Sequence, residues 1–438
     1  TRSIAVTGVQ TCALPICYAR TVREPALVLQ ELDEAVARAM GEGGDPGPVY
    51  IDFPVDTQRG VVPKAVQLDE HFRAKPVKRV QPHDDDVKAA VELLWSAKKP
   101  LVITGRGARG AGEEIRQLLD ATGAVYLDTG ESRGLIADDH PSFIGAMRGA
   151  VMGDADLVIT IGRKLDFQLA YGSPAVFKGA RFLRISDAAS EIRDNRRGDA
   201  ELLATPSAAI AAMLRMAAGR KPATDIDWAQ GLRRQHEERA TKLKVSMANA
   251  PSDAEGRLHP NRVLHELQQR MDKDAVLVAD GGDFLSFARV GLSASRYLDP
   301  GSLGCIGIGT AFGNAASLAY PDRQVVVATG DGAFGFNAME IDTAVRHGAK
   351  PLIVVANNGA WQIEVHDQQD THGKVVGTKL QVSDYAAMAR AFGMHGVVVE
   401  RAEDLGAAID EAMKNLPALL DVRVTPEAKS SDGNSGLA

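Results

Sequence analysis

Short apolar runs of strand length alternate with stretches of helical length along most of the chain. Residues 100–104 (PLVIT), 156–161 (DLVITI) and 351–356 (PLIVVA) are such runs, and apolar residues at helical spacing lie between them. Because these runs are apolar at most positions and do not alternate with polar residues, they predict strands that are buried on both faces. Alternation of this kind predicts parallel sheets covered by helices, so we assign the chain to the α/β class, with three-layer domains.

The composition excludes several classes of protein. The chain has 50 Lys and Arg against 57 Asp and Glu, a net charge of −7, which argues against binding nucleic acid or a membrane surface, since both need basic patches. No apolar run in the sequence approaches the roughly 20 residues that span a bilayer. The chain contains only three cysteines, which excludes a disulfide scaffold and predicts a cytoplasmic location.

The strongest chemical signal is the segment 330–358, which begins Gly-Asp-Gly and ends Asn-Asn. One predicted strand–helix–strand crossover places Asp331 and Asn358 at the same edge of a parallel sheet. Asp331 offers a carboxylate oxygen, Asn358 an amide oxygen and Ala360 a backbone carbonyl, and Mg²⁺ prefers such oxygen donors. The flanking glycines let backbone N–H groups approach an anion. We therefore predict a magnesium site; an ordinary capped turn is the alternative.

The spacing of this segment resembles the motif of enzymes that bind thiamine diphosphate, and two other segments agree with it. Asp280-Gly281-Gly282-Asp283 follows a predicted strand, where that family has a first diphosphate loop. Gly304-Cys305-Ile306-Gly307 resembles the family segment whose bulky apolar residue supports the bent cofactor; plain core packing of Ile306 is the alternative. The resemblance implies thiamine diphosphate and Mg²⁺ as cofactors. The implied cofactor-binding residues are Gly281, Gly282, Asp283, Gly304, Cys305, Ile306, Gly330, Asp331, Gly332, Ala333, Phe334 and Asn358, and the implied metal ligands are Asp331, Asn358 and Ala360.

The resemblance covers most of the chain and implies its domain organisation. Residues 47–56 (GPVYIDFPVD) resemble the end of the pyrimidine-binding domain of acetolactate synthase-like enzymes. Later segments resemble a Rossmann-like central domain and then a thiamine-diphosphate-binding fold. The predicted order is a non-native segment 1–20, a remnant of the pyrimidine-binding domain 21–60, a linker 61–85, the central domain 86–218, a connector 219–258, the diphosphate-binding domain 259–428 and a tail 429–438.

Within the family, these motifs are most similar to the group of acetolactate synthase, benzaldehyde lyase and 2-hydroxyacyl-CoA lyase. The group implies decarboxylation of a 2-keto acid and ligation to a second carbonyl; cleavage of a 2-hydroxy ketone or 2-hydroxyacyl-CoA is the alternative. It also implies a homodimer or tetramer. Trp361, Gln362, Glu364 and His366 correspond to a helix that borders the substrate channel in relatives. A helix face packed on the neighbouring domain is the alternative for these four residues.

A different class of function starts from the GxGxxG pattern of residues 105–110 (GRGARG), which follows a predicted strand. Together with Asp128, about 20 residues further on, this pattern is typical of a dinucleotide site and indicates NAD. FAD or ADP in the central domain, as in some family members, is a second option. A non-catalytic module that binds a nucleotide through this glycine loop is the third option.

The glutamate that activates the cofactor in this family lies upstream of the segment that residues 47–56 resemble. Glu24, Glu31 and Glu34 lie on the predicted helix just before that segment, outside the activating motif. We therefore assign no catalytic residue and expect the chain alone to be inactive.

Residues 1–20 have neither the pattern of a signal peptide nor that of a domain start, and residues 6–16 (VTGVQTCALPI) resemble the translation of a sequencing-library adapter. We predict that the genomic sequence does not encode residues 1–20. It should instead encode, upstream of Tyr18, an α/β domain of on the order of 100–150 residues that contains a glutamate. Recovery of the segment 1–20 from clean genomic DNA would contradict this prediction.

Overall fold

A computed structural model describes residues 16–42, 44–64 and 79–430. Most of the predicted non-native segment 1–20, much of the linker 61–85 and most of the tail 429–438 lie outside the described residues. The described part of the chain contains a two-stranded, a five-stranded and a six-stranded sheet, and every strand pair in them is parallel. The predicted α/β class with parallel sheets is confirmed.

The strands of the described residues are β1 (Tyr18–Thr21), β2 (Val49–Asp52), β3 (Pro100–Thr104), β4 (Val125–Leu127), β5 (Leu157–Ile161), β6 (Arg181–Ser186), β7 (Ala200–Leu203), β8 (Val276–Asp280), β9 (Arg296–Leu298), β10 (Val325–Gly330), β11 (Leu352–Asn357), β12 (His395–Val399) and β13 (Ala418–Arg423). The α-helices are α1 (Val28–Ala39), α2 (Val55–Gln58), α3 (Asp84–Trp95), α4 (Gly112–Thr122), α5 (Arg148–Asp154), α6 (Pro174–Phe177), α7 (Ala189–Ile192), α8 (Pro206–Met216), α9 (Ile226–Ala248), α10 (Pro260–Gln268), α11 (Asp283–Gly291), α12 (Gly309–Ala319), α13 (Asp331–Phe336), α14 (Glu340–His347), α15 (Gln362–His372), α16 (Tyr385–Ala391) and α17 (Ala402–Lys414).

The first unit is a small βαβ arrangement in which β1 and β2 pair in parallel and α1 connects them. The sequence predicts β2 and α1 but not β1, because four residues without apolar periodicity carry no strand signal. The predicted end of the non-native segment, at residue 20, falls inside β1.

The five-stranded sheet of the second unit has the order β4-β3-β5-β6-β7, and β3 and β5 are buried along their whole length. Apolar side chains of α3, α4 and α8 pack on one face, and those of α5 and α6 pack on the other. The first helix of this unit begins at Asp84, close to the predicted start of the domain at residue 86. His83 caps α3 by accepting the backbone N–H of Asp85 at 3.4 Å, so the helix begins at Asp84.

The six-stranded sheet of the third unit has the order β12-β13-β11-β10-β8-β9. The chain passes from β8 outward to β9 and then returns to the other side of β8 as β10, so the strand order reverses between β8 and β10. In open α/β sheets, ligands bind at the carboxyl ends of the strands beside such a reversal. The residues that follow β8, β10 and β11 therefore lie where a fold of this kind binds its ligand.

The predicted connector contains α9, a helix of 23 residues that contacts both large domains. Leu232, near its start, belongs to the apolar core of the second unit, whereas Met247, near its end, belongs to the core of the third. Among the described helices, none combines the length and the apolar character needed to cross a lipid bilayer.

The pH dependence of the protein's stability tests the packing of His236 in α9. His236 is buried, and its Nδ1 accepts the backbone N–H of Ala146 at 3.1 Å. Burial, with a smaller contribution from Arg233, lowers the pKa of His236 below its ordinary value of 6.5. The unfolded state therefore takes up a proton that the folded state resists, and stability should fall as pH drops through 6.5 toward the lower pKa of the folded protein.

We expect the urea midpoint to fall more steeply over this pH window in the wild type than in His236→Gln, which keeps a side-chain acceptor but does not titrate. His83→Gln, at a side chain that is 74% exposed, is the control and should keep the wild-type dependence. An identical pH dependence in wild type and H236Q would contradict the account.

Candidate active site

The carboxyl ends of β10 and β11 carry the two side chains predicted to bind metal. The strands pair in parallel up to their last residues, so Asp331 and Asn358 leave the sheet beside each other. Asp331 is only 2% exposed. Its Oδ1 accepts the backbone N–H of Gly332 at 2.8 Å, and its Oδ2 accepts that of Gly359 at 2.7 Å. One carboxylate therefore joins the turn after β10 to the turn after β11.

The turn after β11 presents two further oxygens. The Oδ1 of Asn358 accepts the backbone N–H of Ala360 at 3.2 Å, a local turn that holds the amide oxygen near the sheet edge. Ala360 forms an antiparallel bridge with Lys379, but the hydrogen bonds of that bridge use the backbone of Gly359 and Trp361. No hydrogen bond between described residues uses the Ala360 carbonyl. This oxygen is available to a ligand.

The electrostatics of Asp331 fit a divalent cation. Burial raises its pKa to about 6, against the lowering effect of the backbone N–H groups around it. A buried carboxylate with neutral partners gains strongly from a nearby positive charge, and the set of carboxylate, amide and carbonyl oxygens suits Mg²⁺. Within the described chain, no group of three or more His, Cys, Asp or Glu residues is placed to hold a metal.

The predicted first diphosphate loop reaches the same edge. β8 pairs with β10, and Gly281 follows β8 with φ of +110°, a conformation that favours glycine. A Cβ on Gly281 would lie 3.4 Å from the backbone nitrogen of Gly330 and 3.6 Å from the Cβ of Ala333, so the turns after β8 and β10 are in contact. A Cβ on Gly282 would lie 2.7 Å from Ile363 in α15. The structure thus brings the two glycine turns and α15 together.

Asp280 organises this edge, although the sequence motifs do not assign it a role. It is the last residue of β8 and is fully buried. Its carboxylate accepts the backbone N–H groups of Gly281 at 2.7 Å, Gly307 at 3.0 Å and Gly309 at 2.7 Å. Burial raises its pKa. The available signal was an acid at the end of an apolar strand, followed by glycine, the same pattern that marks Asp331.

Trp361, the first predicted substrate residue, lies against the turn after β10. A Cβ on Gly332 would lie 1.9 Å from the indole Cδ1 and 2.2 Å from the indole Nε1, so only glycine leaves room for this ring. Nε1 is buried and has no hydrogen-bond partner among the described residues. The indole therefore covers one side of the predicted diphosphate turn.

The other predicted substrate residues lie on α15. The Nε2 of His366 is 2.9 Å from the side-chain nitrogen of Gln362 and 3.2 Å from the carbonyl of Pro426. His366 also lowers the pKa of Asp283, although burial raises that pKa overall. Glu364 is exposed. Gln362 and His366 thus form one polar cluster with Asp283, at the start of α11.

The predicted cofactor-binding residues outside these turns have different environments. Gly304 and Cys305 are exposed and Ile306 is half-buried. Phe334 is only 2% exposed and packs edge-on against Tyr385, with ring centroids 5.1 Å apart, inside the core of the third unit. The side chain of Phe334 therefore belongs to the core beneath the site, and its predicted role in cofactor binding stays a prediction.

Packing accounts for the first two glycines, Gly105 and Gly107, of the pattern after β3 (105–110). α4 begins only at Gly112, after a 3-10 turn. A Cβ on Gly107 would lie 2.8 Å from the Cα of Gly162, and the Gly107 N–H already donates to the Gly162 carbonyl at 3.1 Å. These glycines let the turn after β3 approach the turn after β5. The pattern therefore lends no support of its own to a bound NAD, FAD or ADP.

The third unit has the features expected of a domain that binds a phosphorylated ligand through a divalent cation. A buried carboxylate, an amide oxygen and glycine-rich turns meet at the point where the strand order of a parallel sheet reverses. Comparison with known families agrees with this class. Residues 282–422 match the thiamine pyrophosphate enzyme C-terminal TPP binding domain, and residues 87–213 match the central domain of the same enzymes. The chain belongs to the thiamine pyrophosphate enzyme family.

Known members of the family are similar to the chain over most of its length. 2-Hydroxyacyl-CoA lyase 2 of Danio rerio is 29% identical over 437 residues, which cover 89% of this chain and 68% of the relative. A probable acetolactate synthase of Mycobacterium bovis is 31% identical over 413 residues, with coverage of 91% and 71%. 2-Hydroxyacyl-CoA lyase 2 of Homo sapiens is 28% identical over 436 residues, with coverage of 88% and 67%. The predicted resemblance to this group of enzymes is confirmed.

Gly332→Ala tests the contact between the turn after β10 and Trp361. The added methyl group overlaps the indole ring, so we expect the free energy of unfolding to fall by about 1–3 kcal/mol. The tryptophan emission should also change, because the ring must move. Gly335→Ala is the matched control, since a Cβ there meets nothing within 4 Å. Wild-type stability and emission in G332A would show that the ring does not occupy this position.

Proposed function

We propose that this chain binds the diphosphate end of thiamine diphosphate together with Mg²⁺ at the carboxyl ends of β8, β10 and β11. Asp331, Asn358 and the carbonyl of Ala360 are the proposed protein ligands of the ion. The observation that carries the proposal is the buried carboxylate of Asp331, whose partners are neutral N–H groups from both turns. A cation bound to this carboxylate draws a diphosphate to the same edge.

Backbone N–H groups supply the remaining contacts for the diphosphate in this proposal. α11 has nine residues and begins at Asp283, directly after Gly281 and Gly282, so its unpaired N-terminal N–H groups lie beside the edge. The carboxyl group of Asp283 also lies at this terminus. Burial raises its pKa, so its negative charge is less favoured there than in solvent.

When bound, the cofactor supplies a nucleophilic carbon and an electron sink for reactions next to a carbonyl group. The residues of this chain act by position and charge. Asp331 and Asn358 fix the diphosphate through the ion and so determine where the rest of the cofactor lies. Trp361 excludes water from the side of the turn that it covers. His366, placed between Gln362 and the Pro426 carbonyl, is the residue of α15 to which we assign proton transfer.

We propose a 2-keto acid as the substrate, decarboxylated and then joined to a second carbonyl compound. The 31% identical relative named as a probable acetolactate synthase supports this reaction. Cleavage of a 2-hydroxyacyl-CoA or a 2-hydroxy ketone is the second candidate, supported by the relatives named as 2-hydroxyacyl-CoA lyase 2. Ligand binding by this chain is the measurement that tests the cofactor site.

We further propose that the protein acts as a homodimer or tetramer in a reducing, cytoplasmic environment. Phe312, Phe336 and Met339 on and beside α12 and α13 are 39%, 60% and 61% exposed, an apolar surface that another subunit would cover. The described cysteines, Cys17 and Cys305, are free thiols, which supports the proposed compartment.

Asp331→Asn tests the proposed site by thermal denaturation. Thiamine diphosphate with Mg²⁺ should raise the melting temperature of the wild type, and EDTA should remove most of the gain. Ligand at 100 times its Kd stabilises a protein by about 2.7 kcal/mol, so the shift is measurable. D331N should lose most of it, because a neutral amide cannot replace the carboxylate. Asp322→Asn is the matched control, at an exposed aspartate before the amino end of the same strand.

The outcomes separate the candidates. Stabilisation of the wild type by NAD or FAD, with none by thiamine diphosphate and Mg²⁺, would contradict the proposal and favour a nucleotide-binding module. Equal stabilisation of the wild type and D331N would place the ion elsewhere in the chain.

A further inference from the structure

The loop between β9 and α12 is fixed at one residue, Gly307, from two sides. Its backbone N–H lies 3.0 and 3.2 Å from the two carboxylate oxygens of Asp280. Its backbone carbonyl accepts the side-chain amide of Asn337 at 2.8 Å. Gly307 has φ of +94°, and a Cβ there would lie 2.6 Å from the Cβ of Phe336, so the residue is also enclosed sterically.

One of the side chains that hold Gly307 ends a strand of the proposed diphosphate site, and the other follows the short helix that begins at that site. Asp280 ends β8 and also holds Gly281 and Gly309 at 2.7 Å. Asn337 directly follows α13, the helix that begins at Asp331. Hydrogen bonds therefore fix the position of the loop relative to both predicted diphosphate turns.

The residues before Gly307 have little support of their own. Leu303 is 80% exposed, Gly304 and Cys305 are exposed, and Ile306 is half-buried. An exposed glycine-containing loop loses much conformational entropy when one of its side chains is held in place. Hydrogen bonds to the adjacent residue reduce that cost before a ligand arrives, which is preorganisation.

We propose that Asp280 and Asn337 are positioning residues that hold Ile306 against the ring portion of thiamine diphosphate, while the turns after β8 and β10 hold the diphosphate. This inference rests on the proposed function. It divides the cofactor site into two parts with separate supports. Among the described residues, the side-chain amide of Asn337 donates to the loop that carries Ile306, whereas Asp280 supports this loop and the diphosphate turn together.

Asn337 is the better residue to change, because it is exposed and its loss opens no core. Asn337→Ala removes the donor to Gly307, and Asn337→Asp keeps the shape but turns an acceptor toward the carbonyl. Asn415→Ala is the matched control. Its side-chain amide also donates to a single backbone carbonyl near a helix end, that of Glu411 at 2.9 Å, close to the amino end of β13 and away from the site.

The experiment compares two ligands by calorimetry, thiamine diphosphate with Mg²⁺ and inorganic diphosphate with Mg²⁺. We expect N337A to weaken thiamine diphosphate about five- to tenfold, the effect of losing one supporting hydrogen bond, and to leave inorganic diphosphate unchanged. N337D should lose at least as much, and N415A nothing. Ile306→Ala should give the same split as N337A, and the double variant should lose less than the product of the two single effects.

The remaining outcomes distinguish a failure of this inference from a failure of the proposed function. Equal weakening of both ligands by N337A, or no weakening of either, would overturn this inference while leaving the diphosphate site intact. The inference would also be overturned if the affinity loss in the Ile306 and Asn337 double variant equalled the product of the two single losses. The two residues would then act independently. A wild type that binds neither ligand would overturn the proposed function itself.

Discussion

Three parallel strands that end beside one another are the constraint on which the site depends. Pairing of β10 with β8 on one side and β11 on the other brings three turns to one edge. Two buried carboxylates then hold those turns through backbone N–H groups: Asp280 binds the turn after β8 to the loop before α12, and Asp331 binds the turn after β10 to the turn after β11. A buried carboxylate whose partners are backbone N–H groups fixes the geometry of the loops. Loss of one of these hydrogen bonds would leave a buried polar group without a partner, which is energetically unfavourable.

The sequence contained the information for the strands and for the two metal-binding candidates. Apolar runs predict β3, β5 and β11, because strands that are buried on both faces leave a continuous apolar pattern in the sequence. The spacing between Asp331 and Asn358 equals one crossover, so their meeting at one sheet edge follows from chain geometry, and the structure brings them together. The role of each residue toward a cofactor stays a proposal.

The sequence did not reveal contacts between loops that are distant along the chain. Asp280 meets Gly307 and Gly309 across a long separation, and no periodicity records such a contact. The glycines after β3 have a packing role that the GxGxxG pattern conceals, because a glycine needed for close approach of two turns reads like one needed for a phosphate. Phe334 was assigned to the cofactor by its place in the motif, whereas the packing of Tyr385 decides where its ring lies.

The central claim is that one divalent cation binds between Asp331 and Asn358, and crystallography with Mn²⁺ in place of Mg²⁺ tests it most directly. Crystals grown with thiamine diphosphate and Mn²⁺ should show one anomalous peak within about 2.5 Å of an oxygen of each side chain and of the Ala360 carbonyl. An anomalous peak elsewhere, with these oxygens facing solvent or protein, would contradict the account.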